Sequence, residues 1–469
     1  MPQTSVINDL LNAITDNRLF GERRKPKRMS RKDLTGLIDA LLSGLGEASS
    51  IERAAEFLRA YRDLDSAGRT FVFRTLAADY GPEPDRLSEA ARDYVERPDA
   101  RTATALREAA EPRRIEVFRR LNQVTGGTQA LVAMRCELLE RLANHPDLWT
   151  VDDDLRRMFE EWFNRGFLLL REIDWQTSAA ILEKIIRYEA VHAIRGWDDL
   201  RLRIDVPDRR LFGFFHPRLG DEPLIFVEVA LTADIPGAIG PILAHERRPI
   251  DPSQATTAVF YSISNCQEGL RGISFGAFLI KQVATDLAAE LPNLKSFVTL
   301  SPVPGFARWL REEVARPTSA VDEPTRTLLS GFDVGWLEDP ARAKAAEAAL
   351  MPLAAHYLIE AKDERGRPVD PVARFHLGNG ARLEQVNFAA DRSERGLGTA
   401  HGVMVNYRYV LADVEKNHEA FANDGKVAAA SAVARLARSV KVAPREASDA
   451  VPQLPPPAAS SRETDDVSA

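Results

Sequence analysis

The spacing of apolar residues changes once along the chain, near residue 190. Before this point apolar residues recur at helical spacing, as in Leu34, Leu37, Ile38 and Leu41, and no convincing strand pattern occurs up to about Gly166. Beyond it, short runs rich in β-branched and aromatic residues predict strands. The change predicts an α+β multidomain protein, with an all-helical bundle in residues 1–165 and a mixed-sheet domain in residues 166–441.

The predicted strands follow an order that contains one helix. They comprise residues 210–216, 224–231, 256–263 and 296–300. The first two form a hairpin, because residues 217–223 begin and end with proline and read as a turn. Between the third and fourth strands, residues 269–276 (the glycine segment) run directly into a helix. The order is therefore strand, strand, strand, glycine segment, helix, strand.

Composition excludes several classes of protein. The 469 residues are 45% hydrophobic and carry a formal net charge of −7, and the longest basic run is Arg23–Arg28, so nucleic-acid binding is not expected. No stretch has the apolar length needed to cross a bilayer. Cys136 and Cys266 are too few for a disulfide framework, and a cytoplasmic location is expected. Residues 442–469, which include three consecutive prolines, are predicted to form a disordered tail.

The glycine segment has the composition of an anion site. A glycine-bearing turn that opens a helix presents unpaired N–H groups to a phosphate, and small residues allow close approach. The segment lacks the Gly-Lys-Ser/Thr ending of a P-loop, and its spacing is a poor dinucleotide fingerprint. It resembles the acyl-CoA loop of GCN5-related acetyltransferases, although an ordinary helix-start turn explains it equally well. The residues of this candidate loop are Arg271, Gly272, Ile273, Ser274, Phe275, Gly276 and Ala277.

Eight longer blocks of sequence occur in order between about Tyr188 and Val410. They are Phe214–Pro217, Glu222–Ile225, Val229–Thr232, Phe260–Ser264, Gly276–Lys281, Leu300–Phe306, Phe375–Ala381 and Asn406–Tyr409. Together these blocks resemble the malonyl-CoA decarboxylase family. The resemblance implies a helical domain followed by a catalytic domain with a GCN5-related acetyltransferase-like mixed sheet. It also implies that the substrate is malonyl-CoA, the product is acetyl-CoA, and the assembly is a homotetramer.

The resemblance further implies three catalytic residues and one substrate-binding loop. Ser301 binds or polarises the malonyl group, His376 carries the proton to carbon, and Tyr409 positions the serine or the substrate, while Arg271 to Ala277 hold CoA. Some family members have glutamate where this chain has Ser274. Taken alone, Ser301 before Pro302 reads as a turn cap, His376 as a core histidine and Tyr409 as a packing residue in a strand.

No metal or separate cofactor is expected. The eight histidines are scattered without a ligand pattern, and the thioester of malonyl-CoA itself accepts the electrons released by decarboxylation. The run Asp152-Asp153-Asp154 is interpreted as negative charge that precedes a helix starting at Leu155 and complements its dipole. Glu228 lies in an apolar strand, either as a functional group or on an outward face. The alternatives to a decarboxylase are an acyl-CoA-dependent N-acetyltransferase and a non-catalytic acyl-CoA sensor.

Overall fold

The computed structural model describes residues 31–43, 47–273, 276–316, 321–330 and 334–440. The basic run Arg23–Arg28 and the predicted tail at residues 442–469 lie outside these ranges. Within the described residues, no helix combines the length and the apolar character needed to cross a membrane.

The first part of the described chain is helical, as its periodicity predicts. Its helices α1–α8 are Arg31–Leu42, Glu47–Arg62, Ser66–Asp79, Pro84–Glu96, Ala100–Ala110, Arg113–Gln123, Gly127–Arg141 and Trp149–Trp162. Leu34, Leu37, Ile38 and Leu41 all lie in the buried core, which confirms the face chosen from their spacing. Several starts are fixed by side chains: Asp99, for example, caps α5 in a capping box with Thr102.

The second part contains one eight-stranded sheet. Its strands β1–β8 are Leu169–Glu172, Arg209–Phe215, Pro223–Thr232, Thr257–Asn265, Ser296–Thr299, Ser301–Pro302, Arg382–Asn387 and Met404–Arg408. The order is β1-β2-β3-β4-β5-β8-β6, with β7 paired to β8. The four strands predicted from sequence are confirmed. The short edge strand β1 was missed because four residues give too little periodicity to read.

Helices surround this sheet and connect its strands. Helices α9–α19 are Ala179–Tyr188, Trp197–Ile204, Gly240–Leu243, Gly276–Glu290, Phe306–Ala315, Glu323–Ser330, Pro340–Ile359, Pro371–Gly378, Glu394–Ala400, Val414–Asp424 and Ser431–Ser439. Helix α12 joins β4 to β5, which are parallel, whereas β1 to β4 are antiparallel neighbours. A helical region followed by a mixed-sheet domain confirms the predicted fold class.

The sheet parts between β4 and β5. Their pairing ends at Phe260 and Thr299, after which β4 continues to Asn265 paired with β3 only. On the other side the chain turns away, and Ser301 pairs with Val405 of β8 instead. The Asn406 side-chain amide donates to the Thr299 carbonyl oxygen over 2.9 Å and holds this turn in place. The split leaves a gap whose walls come from different strands.

Candidate active site

Ser301 lies at the point where the sheet parts. It follows the carboxyl end of β5, as the sequence predicts, and its side chain is buried. The hydroxyl donates to Thr299 Oγ1 over 2.8 Å, and Thr299 Oγ1 also accepts the Tyr407 backbone N–H over 3.2 Å. Two partners therefore fix Thr299, and Thr299 in turn orients the Ser301 hydroxyl.

His376 approaches Ser301 from helix α16. Its Nε2 atom lies 3.1 Å from Ser301 Oγ. The helix starts at Pro371 because the buried Asp370 carboxylate accepts the Val372 and Ala373 backbone N–H groups. Burial lowers the pKa of His376 to about 3. The imidazole is therefore neutral near pH 7.

Two tyrosines hold the imidazole on its other sides. Tyr409, immediately after β8, places its hydroxyl 2.8 Å from His376 Nδ1. The Tyr407 ring stacks on the imidazole with centroids 4.6 Å apart and 24° between the planes. Burial raises the pKa of the Tyr409 hydroxyl. Ser301, His376 and Tyr409, predicted to share one catalytic site, thus form one hydrogen-bonded chain, in which Tyr409 contacts His376 rather than Ser301.

This chain borders a cavity of 350 Å³. The cavity occupies the gap between β4 and the turning chain. Its lining residues are Val191, Phe260, Tyr261, Ile263, Asn265, Ser301, Pro302, Pro371, Val372, Phe375 and His376. None of these side chains is a lysine, arginine, aspartate or glutamate, so the lining from the described residues is neutral. An anionic group placed there loses water and gains no fixed counter-ion from this wall.

The glycine segment opens helix α12 at the same edge of the sheet. Gly272 has a φ of +84°, a conformation that glycine adopts without strain, and the Arg271 side chain is mostly exposed. Ile273 is buried against the core, and the helix begins at Gly276. Ser274, Phe275 and the side chain of Ala277 lie outside the described part. Because β4 and β5 are parallel, the segment after β4 and Ser301 after β5 share one edge.

Sequence reasoning missed four residues that build this site. Thr299, Asp370, Asn406 and Tyr407 make the contacts described above without having been assigned a role. Signals for each were available: Thr299 precedes Ser301 by the two-residue strand period, and Asp370 precedes a proline as a helix cap does. Asn406 and Tyr407 belong to a block already noted for Tyr409. None of these signals identifies the partner of the side chain, which depends on tertiary contacts.

Two acidic features of the sequence, the run Asp152–Asp154 and the single residue Glu228, differ from their sequence interpretation. Asp152 and Asp154 lie inside helix α8, which begins at Trp149, and they pair with the buried Arg135 and Arg114. Glu228 is fully buried rather than on an outward face, because Arg203 approaches its Oε2 atom to 2.9 Å. Within the described residues no group of three or more His, Cys, Asp or Glu side chains is arranged to hold a metal ion.

The fold and the site define a two-part α+β enzyme. The family model for the malonyl-CoA decarboxylase N-terminal domain matches residues 80–163, and that for the C-terminal domain matches residues 166–448. The mitochondrial malonyl-CoA decarboxylase of Anser anser anser is 37% identical over 406 residues, which cover 79% of this chain and 80% of that protein.

Solved structures agree with the sequence comparisons. A crystal structure of malonyl-CoA decarboxylase from Rhodopseudomonas palustris is 54% identical, covers 87% of this chain and 100% of its own, and superposes with a TM-score of 0.83. The corresponding structure from Agrobacterium vitis is also 54% identical, covers 86% and 99% of the two chains, and has a TM-score of 0.82. This chain belongs to the malonyl-CoA decarboxylase family.

Proposed function

We propose that this enzyme converts malonyl-CoA to acetyl-CoA and carbon dioxide in the cavity beside Ser301 and His376. The observation that carries the proposal is the hydrogen-bonded chain Ser301–His376–Tyr409 in the wall of a neutral cavity where the sheet parts. The family membership supports the choice of substrate. Binding of CoA along the glycine segment brings a thioester to this cavity from the same sheet edge.

The CoA moiety binds at residues Arg271 to Ala277. The first turn of α12 offers N–H groups and the positive end of a helix dipole to the pyrophosphate. The exposed Arg271 guanidinium adds a mobile cation at the entrance. Gly272, with its positive φ, lets the backbone turn where the phosphates approach.

Decarboxylation breaks the bond between the carboxylate and the α-carbon. The electron pair moves into the thioester carbonyl and forms an enolate, while carbon dioxide leaves. Apart from His376 the lining from the described residues carries no charged side chain, and it favours this step because the negative charge of the carboxylate becomes spread over the enolate as water is excluded. When the substrate binds, the Ser301 hydroxyl exchanges its hydrogen bond to Thr299 Oγ1 for one to the malonyl group, and a single donor of this kind contributes about 10²–10³ in rate.

His376 supplies the proton that replaces carbon dioxide. Burial holds the imidazole neutral, but the negative charge of the arriving malonyl carboxylate favours the imidazolium. The proton taken up on binding is then given to the α-carbon, so one proton is consumed per turnover. The Tyr409 hydroxyl can donate to neutral Nδ1 or accept from protonated Nδ1, and it keeps the ring in place in both states.

No separate cofactor takes part in this scheme. The thioester is the electron sink, Ser301 is the donor to the malonyl group, and His376 is the acid, so each chemical requirement has a group to meet it. The same purified protein is expected to show full activity after dialysis against a chelator.

The direct test is to mix purified protein with malonyl-CoA and follow acetyl-CoA and carbon dioxide together. Formation of both in equal amounts, with a sharp reduction in Ser301→Ala, supports the proposal. Saturable binding of intact malonyl-CoA without turnover contradicts it and identifies a sensor. Transfer of an acetyl group to an amine without release of carbon dioxide identifies an acetyltransferase.

We also propose a homo-oligomer, a tetramer, in the cytoplasm. The family resemblance is the support for the assembly, and light scattering coupled to size-exclusion chromatography measures its mass. A mass of one chain at micromolar concentration contradicts the tetramer. Fractionation of the source cells tests the compartment.

A further inference from the structure

Arg135 of the helical region reaches into the sheet domain and contacts the glycine segment. It projects from α7 and is only 2% exposed, although arginine is seldom fully buried. Its Nη1 atom donates to the Gly269 carbonyl oxygen over 2.8 Å and to the Arg271 carbonyl oxygen over 2.9 Å. One guanidinium therefore satisfies two backbone acceptors on either side of Leu270.

The other side of this guanidinium is also fixed. Asp152 of α8 accepts from Arg135 Nε over 2.8 Å. The carboxylate balances the buried charge and orients the planar fork, so that Nη1 points at the two carbonyl groups. Arg135 thus belongs to α7, pairs with Asp152 of α8, and is directed at the loop that follows β4.

The backbone of the segment fits closely against α7 at the same place. A Cβ atom added to Gly269 would lie 1.9 Å from the Val132 carbonyl oxygen, so only glycine allows this approach. Leu270 and Ile273 are buried in the same core as Leu131 of α7. Apolar packing and the Arg135 hydrogen bonds therefore fix the start of the segment relative to the helical region.

We propose that Arg135 is a positioning residue for acyl-CoA binding, through which the helical region sets the conformation of residues 269–273 at the start of the glycine segment. The inference rests on the proposed role of Arg271 to Ala277 in CoA binding. By holding the Gly269 and Arg271 carbonyl oxygens on the α7 side, Arg135 leaves the Arg271 side chain free to face solvent and fixes the approach to Gly272. Arg135 itself touches no reacting atom.

The chain provides a matched control for this role. Arg114 is also buried and also pairs with an aspartate of α8, since its Nε atom donates to Asp154 over 2.6 Å. Its other hydrogen bond goes to the Leu76 carbonyl oxygen, inside the helical region. Arg114 and Arg135 therefore share burial, charge and partner type, and differ in contact with the glycine segment.

The test compares Arg135→Met with Arg114→Met in the full chain. We expect Arg135→Met to raise the KM for malonyl-CoA and the Kd for free CoA, measured by calorimetry, about tenfold or more, with a smaller change in kcat. Arg114→Met is expected to lower the melting temperature and leave both constants within about twofold of wild type. Arg135→Lys should recover only part of the affinity, because an ammonium lacks the planar fork.

A milder pair of variants serves if the methionine variants do not fold. Asp152→Asn releases the orientation of Arg135 and is expected to raise the Kd for CoA about threefold, whereas Asp154→Asn should not. Wild-type affinity for CoA in Arg135→Met or Asp152→Asn, or an equal loss in the Arg114 and Asp154 variants, overturns the inference. Calorimetry with CoA needs no turnover, and a wild-type protein that binds CoA without decarboxylation contradicts the proposed function alone.

Discussion

Two groups of buried polar side chains lie near β4, and they differ in charge. The hydrogen-bonded chain of Ser301, His376 and Tyr409, which we propose to be catalytic and here call the catalytic chain, is neutral near pH 7 and reaches the cavity. The second group, here called the acid cluster, joins β3 and β4 to the chain around residue 190. It consists of Glu189, Arg203, Glu228, Ser262 and Ser264.

The acid cluster is built around carboxylates with several partners. Glu189 accepts from the Ser262 hydroxyl over 2.7 Å and from the Val191 and His192 backbone N–H groups. Because Val191 lines the cavity, Glu189 fixes part of its wall. Burial raises the pKa of Glu228 to about 7, and Arg203 opposes this shift. The charges of the acid cluster therefore stabilise the backbone near residue 190 and strands β3 and β4.

The difference shows how a buried group remains able to react. A neutral imidazole between two hydroxyl groups gains or loses a proton without leaving an ion unpaired, since each hydroxyl can donate or accept. The carboxylate of Glu189 already accepts from four donors, so any change in its charge breaks several hydrogen bonds. We expect substitutions in the catalytic chain to lower the rate, and substitutions in the acid cluster to lower stability.

The largest effect is expected from His376→Ala. Loss of the proton donor should lower kcat by about 10²–10⁴, with little change in the melting temperature. The measurement is single-turnover formation of acetyl-CoA. The control is His356→Ala, a buried histidine on α15 that does not line the cavity. Equal losses of rate in the two variants would remove the distinction between a catalytic and a structural histidine.

The next effect tests the acid cluster. Arg203→Met leaves Glu228 buried without its cation, and we expect the free energy of unfolding to fall by about 3 kcal/mol. Without Arg203 the pKa of Glu228 rises further above its unfolded value. The folded state then binds a proton that the unfolded state does not, so the loss should be greater at pH 8.5 than at pH 6.

The same variant measures the separation between the two groups. For the fraction that remains folded, kcat should stay within about threefold of wild type, because Arg203 does not line the cavity. Unfolding curves at the two pH values and turnover on the same samples provide the comparison. A loss of rate as large as that of His376→Ala at unchanged stability would place the acid cluster in the reaction.

The same contrast shows which features of the structure could be predicted from the sequence. The burial of Leu34, Leu37, Ile38 and Leu41 could be predicted because helical spacing is a local property of the sequence. The glycine segment and the strands around it were predicted for the same reason. Ser301 and His376 came from resemblance, since their separation of 75 positions along the chain gives no local signal.

What could not be predicted is the set of partners. The sequence does not distinguish a Glu228 that faces solvent from one that pairs with Arg203. Arg203 lies on helix α10, 25 positions away along the chain. Asp152 and Asp154 likewise read as helix-start charge, and only the packing of α6, α7 and α8 supplies Arg114 and Arg135 as partners. Desolvation of His376 depends on the same assembly of distant elements.

A smaller effect, on acid stability, follows from that desolvation. The folded pKa of His376 is about 3 and the unfolded value is about 6.5, so the unfolded state binds the extra proton between these values. Stability should fall as the pH decreases through this window, by about 2 kcal/mol at pH 5 from this residue. His376→Gln should remove that part of the difference in unfolding free energy between pH 7.5 and pH 5.

The control for this effect is His245→Gln, which replaces an exposed histidine. It replaces a histidine outside the catalytic chain, and the unfolding free energies of the two variants are compared at both pH values. If His376→Gln retains the full loss of stability at pH 5, the imidazole is not held neutral in the empty site. The difference drawn between the neutral chain and the acid cluster would then disappear.

The smallest effect is expected from Tyr409→Phe. The variant removes the Tyr409 hydroxyl that contacts His376 Nδ1, while the stacked Tyr407 ring and the Ser301 contact remain. One hydrogen bond of this kind is worth about 1 kcal/mol, so kcat should fall about five- to tenfold. Because Tyr409 supports both protonation states of the ring, the loss should appear in kcat more than in KM, as measured by initial rates over a range of malonyl-CoA concentrations. A Tyr409→Phe enzyme with wild-type kcat would show that Tyr407 and helix α16 alone hold the imidazole, and that the reactive chain ends at His376.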